Sequence, residues 1–172
     1  MRRGFLAAVA AVLLGPSVIL AGPAAQGARH MPAPGFPSCV AGTYLGAVTL
    51  DLGLEFQSLS TFGADSTYVT ESTIDFGAGG TAAMAFRSGG RGDWWMIGPR
   101  KLKMTYLHFA YDGEGVLLWL EKISAVLTFS GSCSSATGEA MYGIYPPGLD
   151  PFKNEPVVGG SATVTMTRLP RD

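Results

Sequence analysis

The stretch from Lys101 to Ser130, KLKMTYLHFAYDGEGVLLWLEKISAVLTFS, decides the fold. Two long strand-like runs, Lys101–Tyr111 and Val116–Ser130, flank a tight Asp112-Gly113-Glu114-Gly115 turn. With Tyr111 paired to Val116, the register runs outward from the turn. It places His108 opposite Trp119, Tyr106 opposite Glu121, Met104 opposite Ile123 and Leu102 opposite Ala125. Strand residues two apart share a face, so all eight side chains belong to one wall. That wall is mostly apolar and carries one imidazole, one phenol and one carboxylate. Such a wall suits the inside of a ligand-holding β-barrel.

The flanking segments repeat the pattern. Leu54–Phe62 and Thr67–Phe76 form a second hairpin around Gly63-Ala64-Asp65-Ser66, pairing Phe62 with Tyr68, Ser60 with Thr70, Ser58 with Ser72 and Phe56 with Ile74. Its other face carries Glu55, Gln57, Thr61, Glu71, Thr73 and Asp75, a solvent face. Val40–Leu50 opens the domain. Thr81–Phe86 and Asp93–Ile97 read as short strands around a glycine-rich Arg87–Gly92 turn. Ser134–Tyr142 and Val158–Leu169 close the set, joined by a proline-rich loop that is a candidate lid over a barrel mouth. The fold class is therefore all-β: one antiparallel up-and-down barrel of about 8–9 strands, with no substantial helix. A two-sheet sandwich is the runner-up. Val116–Ser130 is long for a sandwich strand and suits one that tilts around a closed sheet.

The N-terminus reads as an export signal. Met1-Arg2-Arg3 precedes an apolar run through Leu14, and small residues up to Ala28 offer a cleavage region. The run is broken at Gly15-Pro16 and falls short of the roughly 20 residues that a membrane helix needs. Residues 1–28 are thus assigned to the signal, 29–38 to a flexible Pro/Gly lead-in and 39–172 to the barrel. The product is exported, periplasmic or extracellular, by the general route, with the twin-arginine route as alternative. Without Arg2 and Arg3 the 12 basic residues fall to 10 against 13 acidic, a net charge near −3. No basic patch suggests nucleic acid, and no membrane anchor is expected after signal cleavage. Cys39 and Cys133 are the only cysteines, and in an oxidising compartment they are expected to form a disulfide. No metal site and no cofactor are expected, since a single well-placed histidine stands without a ligand cluster. Arg91-Gly92-Asp93 spells an adhesion-type tripeptide but reads as a turn entering a strand.

Gly42-Thr43-Tyr44 on the first strand and Arg168 on the last resemble the signature of the calycins, the lipocalin-like barrels. Lipocalins carry Gly-x-Trp there, with an arginine covering the ring; here Tyr44 replaces the tryptophan, and no C-terminal helix follows. The resemblance implies a small closed barrel over Val40–Arg168. It overlaps in outline with allene oxide cyclase-type and other cyclase barrels, so it leaves carrier and enzyme open.

The expected ligand-binding set is Phe56, Ser60, Tyr68, Thr70, Trp94, Met104, Tyr106, His108, Trp119 and Glu121. The aromatics supply apolar wall, and Ser60 and Thr70 leave room and offer hydroxyls. Tyr106, His108 and Glu121 would orient a polar end of a small apolar or amphipathic molecule. In a cyclase- or isomerase-type enzyme the same three would move protons. In a third reading they are a satisfied polar cluster in a filled, structural envelope barrel. The leading expectation is binding without catalysis, and a homodimer is left open.

Overall fold

The computed structural model describes residues 39–76 and 86–170. The assigned signal, the lead-in and most of the Thr81–Phe86 strand fall outside these residues. Nine strands form one antiparallel sheet: β1 (Gly42–Leu50), β2 (Glu55–Phe62), β3 (Thr67–Ser72), β4 (Phe86–Arg87), β5 (Gly90–Gly98), β6 (Lys101–Tyr111), β7 (Leu117–Phe129), β8 (Ser135–Tyr145) and β9 (Val158–Arg168). Following the pairing from β5 through β3, β2, β1, β9, β8 and β7 leads to β6, which pairs back with β5. The barrel is therefore closed with eight strands, and β4 is an extra short strand on β6. Closure leaves no free edge along the ring. Among the described residues the sole helical turn is the 3-10 segment Thr73–Phe76.

The second hairpin has the expected register, with Ser58 opposite Ser72, Ser60 opposite Thr70 and Phe62 opposite Tyr68. It stops at Ser72, because the chain turns into the 3-10 segment, so Phe56 and Ile74 are not strand partners. The first hairpin differs by a slide of two residues. Its loop is three residues long: Asp112 N–H donates to the Val116 carbonyl at 3.0 Å, and Gly115 takes φ +81°. That is a turn followed by a left-handed residue, where glycine costs least. A bulge then doubles the shift. Tyr111 lies opposite Leu117 but Ala110 lies opposite Trp119, so Leu118 is an extra residue on β7. Two one-residue shifts restore the parity of the faces while changing every partner. His108 faces Glu121, Tyr106 faces Ile123, Met104 faces Ala125 and Leu102 faces Leu127.

The interior divides into two ends. At the closed end Phe62 is ringed by Tyr44, Tyr68, Trp94 and Phe129, with centroids 5.1–5.8 Å away. Such edge and tilted pairs add about 0.5–1.5 kcal/mol each beyond burial. The Tyr44 hydroxyl donates to the Cys133 carbonyl at 3.0 Å. The Arg168 guanidinium lies 5.6 Å above the Tyr44 ring and donates to the carbonyls of Cys39 and Ala41. Cys39 and Cys133 are disulfide-bonded, tying the start of β1 to the β7–β8 turn.

Part of the β8–β9 loop packs outside the barrel. Lys122, on the outer face of β7, donates to the Pro151 carbonyl and lies 5.3 and 5.4 Å from the Tyr145 and Phe152 ring centroids. Pro151 and Tyr145 are buried there, so this part of the loop packs on the outer wall. Arg91-Gly92-Asp93 lies within β5 rather than in a turn, with Gly92 opposite Tyr106.

Candidate functional site

The open end of the barrel is built from small side chains on β1–β3 and β7–β9. Ser58, Thr70 and Ser72 face inward on one side, with Ala140 and Ala162 on the other. Between them lies a cavity of about 50 Å³. Val48, Leu50, Phe56 and Tyr142 line its outer part and are half-buried. Met104, Ile123, Val164 and Met166 line its inner, apolar part.

A polar cluster occupies one side. Arg87 donates through Nη1 to Glu121 and through Nη2 to Ser72 Oγ at 2.8 Å. The Arg87 and Glu121 side chains are 7% and 16% exposed, so water screens the pair poorly. His108 is buried opposite Glu121, and its Nδ1–H donates to the Ser88 carbonyl at 2.7 Å. The Tyr106 ring contacts the His108 imidazole edge-on at 5.4 Å and the Tyr68 ring at 4.8 Å. Tyr68, Ser60 and Thr70 share a hydroxyl chain with links of 2.8 and 3.0 Å.

One bulge creates this arrangement. Arg87 lies opposite Ala110 and Arg91 opposite Leu107, four steps on one strand against three on the other. Ser88 still pairs with Phe109, so the added residue falls at Gly89-Gly90. The bulge reverses the face of β4, and Arg87 points into the barrel with the even-numbered residues of β5. It also turns the Ser88 carbonyl toward His108. Gly90 is needed here for space: a Cβ would stand 2.8 Å from two atoms of the imidazole.

Burial, then the neighbouring Tyr68, pushes the Tyr106 phenol well above its ordinary value, with Glu121 adding to the rise. Burial also raises Tyr68, against the hydrogen bond from Ser60. Both phenols therefore stay protonated and act as neutral hydrogen-bonding groups. Glu121 is engaged by Arg87, which makes it an anchor for the guanidinium. Chemically the cluster can hold and orient a polar group more readily than it can abstract a proton.

Seven of the expected residues line the cavity: Phe56, Tyr68, Thr70, Met104, Tyr106, His108 and Glu121. Three do not. Ser60 lies fully buried, bonded to Tyr68 and Thr70. Trp94 packs in the closed end and donates to the Gly63 carbonyl at 3.2 Å. Trp119 lies opposite Ala110 and is not among the residues that line the cavity. Arg87 is the residue that sequence reasoning missed. The paired Gly89-Gly90 in a strand-like stretch was a bulge signal, and an inward carboxylate at Glu121 called for an inward cation. Among the described residues no group of three or more histidines, cysteines or carboxylates is placed to hold a metal.

No family model matches this chain, and no curated protein matches it. Solved structures do. The structure of EF1p2_mFAP2b bound to DFHBI superposes with a TM-score of 0.51 at 17% identity, over 76% of this chain and 94% of that one. A redesigned β-barrel, b11L5F_LGL, superposes with a TM-score of 0.45 at 16% identity, over 77% of this chain and 94% of its own. At this identity the likeness concerns fold, a small closed antiparallel barrel.

Proposed function

We propose that this protein is an exported barrel that binds a small amphipathic molecule at its open end, without turning it over. The observation that carries this is the cavity itself, with an apolar wall on one side and hydrogen-bonded Arg87, Glu121 and Ser72 on the other. A pocket with an apolar majority and a few fixed polar groups is the usual form of a small-molecule site. Its volume of about 50 Å³ admits only the inner end of a ligand, since drug-sized pockets start at about 300 Å³. The ligand's body would lie among Val48, Leu50, Phe56 and Tyr142 at the mouth. The similar barrel EF1p2_mFAP2b was solved bound to DFHBI, which supports a binding role. The Cys39–Cys133 bond supports an oxidising location. The calycin likeness is part of the same proposal, resting on Tyr44 under Arg168. The protonated Tyr106 and the engagement of Glu121 by Arg87 favour binding over acid–base turnover.

The neutral dye N-phenyl-1-naphthylamine tests the proposal. Saturable one-to-one binding is expected. Ala162→Leu, which fills the cavity, should weaken it at least about tenfold with the β-sheet circular dichroism unchanged. Absence of saturable binding, or binding indifferent to Ala162→Leu, would contradict it.

A further inference from the structure

Resting on that binding reading, we infer that the barrel takes an organic cation: an ammonium or amine head on an apolar body, seated tail first, with the charge left at the mouth beside Asp51.

Three strands shape the rim at this point. Asp51 follows the end of β1, and its Oδ2 accepts hydrogen bonds from Ser161 N–H at 2.8 Å and Ser161 Oγ–H at 3.3 Å. Its Oδ1 meets the Tyr142 hydroxyl at 3.5 Å, long enough to leave that oxygen open to a stronger partner. Tyr142 reaches Asp51 from β8 across Gly160, its partner on β9. A Cβ at Gly160 would stand 2.5 Å from the phenol oxygen and 2.8 Å from Asp51 Oδ2, so glycine makes room for the pair. Asp51 is exposed and forms no ion pair among the described residues. Tyr142 and Phe56 line the outer part of the cavity. A carboxylate beside aromatic faces holds an alkylammonium by charge and by cation–π attraction. Deeper in, Met104, Ile123, Val164 and Met166 offer an apolar, buried wall to the alkyl end.

The surrounding loops carry charge of the same sign. The β1–β2, β6–β7 and β8–β9 loops all lie at the mouth end. They bring Asp51, Asp112, Glu114, Asp150 and Glu155 there, and Lys153, their single cation, lies 3.2 Å from Asp150. The β3–β4 connection, residues 73–85, contains Asp75 and no basic side chain. Arg87 is at this end too, inside the barrel and bonded to Glu121. The loops of the opposite end carry Asp65 and Arg100, one of each sign. Acidic excess in the loops is thus confined to the mouth, where it draws cations toward the opening and repels anions.

Octyltrimethylammonium and octanoate, matched in chain and opposite in charge, test this by competing against N-phenyl-1-naphthylamine on the purified protein with its disulfide intact. An exposed ion pair or cation–π contact is worth about two- to fivefold in affinity. With the anion repelled by the same groups, the cation should bind at least about tenfold more tightly at about 10 mM salt. In about 1 M NaCl the Debye length falls from about 30 Å to about 3 Å, and the ratio should drop by about threefold or more. Asp51→Asn keeps an oxygen for Ser161 N–H and should cut the low-salt ratio by about threefold or more as well. A smaller low-salt preference in the unaltered protein, a preference for octanoate, or a ratio indifferent to salt would overturn the inference while leaving the binding site standing. A ratio unmoved in a folded Asp51→Asn protein would overturn it too. Failure of the dye itself to bind would bring down the binding reading and this inference together. The salt comparison uses the unaltered protein and decides the matter even if the variant does not fold.

Discussion

Replacing Arg87 with methionine should destabilise the barrel by about 3 kcal/mol. Methionine keeps most of the apolar stem but removes the guanidinium, so Glu121 loses its counter-ion and Ser72 loses a donor. Breaking one side of a buried pair costs about 3–5 kcal/mol. With the Glu121 side chain 16% exposed, some water reaches the orphaned carboxylate, which argues for the lower end. Coulomb's law agrees in order of magnitude, giving ~4 kcal/mol for unit charges at 4 Å in an effective dielectric of 20. Guanidinium unfolding, followed by circular dichroism and tryptophan emission together, measures the difference at constant m. The double variant Arg87→Met with Glu121→Leu removes both charges and should return to within about 1 kcal/mol of the parent. A loss below about 1 kcal/mol in the single variant would mark a solvated surface-type pair and refute the reasoning. A double variant no better than the single would refute it as well.

Three further outcomes are expected. Reducing the Cys39–Cys133 bond, which spans 94 residues of sequence, should lower unfolding stability by at most about 4–5 kcal/mol on the chain-entropy model, read from denaturant midpoints with and without reductant. The Tyr68 and Tyr106 phenols are raised in the fold, so the stability linked to them is fully present below about pH 10 and is lost as pH rises toward their folded values. Tyr106→Phe should therefore flatten the alkaline limb of the stability profile, and phenolate absorbance in the parent should rise late for these two groups. Gly115→Ala, at φ +81°, should cost about 1–2 kcal/mol in thermal or chemical unfolding and leave dye binding unchanged.

Much of the barrel was legible because side-chain alternation is a local property. Phe62, Tyr68, Met104 and Phe129 point inward whichever residue they happen to face. Register in the second hairpin was legible too, since its ladder continues from the Ala64–Ser66 loop without a bulge. In the first hairpin the three-residue loop and the extra Leu118 both shift the pairing, and neither is visible in a hydrophobic pattern of period two. Parity survived only because there were two shifts. Tyr106, His108 and Glu121 were therefore placed on the right face with the wrong partners. At Arg87 a single bulge was present, so parity failed and the principal cation of the site was read as part of a turn. The packing of Pro151 near Lys122 depends on contacts between distant segments, which the local composition of the loop does not encode.

Methyl-resolved NMR of the carbon-13-labelled protein, titrated with N-phenyl-1-naphthylamine, tests the open-end site most directly. Saturating shifts are expected at Val48, Ile123, Ala162, Val164 and Met166, which line the cavity. Val40, Leu102 and Leu127, buried in the core without lining that cavity, should stay unmoved. Shifts centred on those buried residues or on the outward-facing Leu45 and Leu59, or no saturating shifts at all, would contradict a binding site at the barrel mouth.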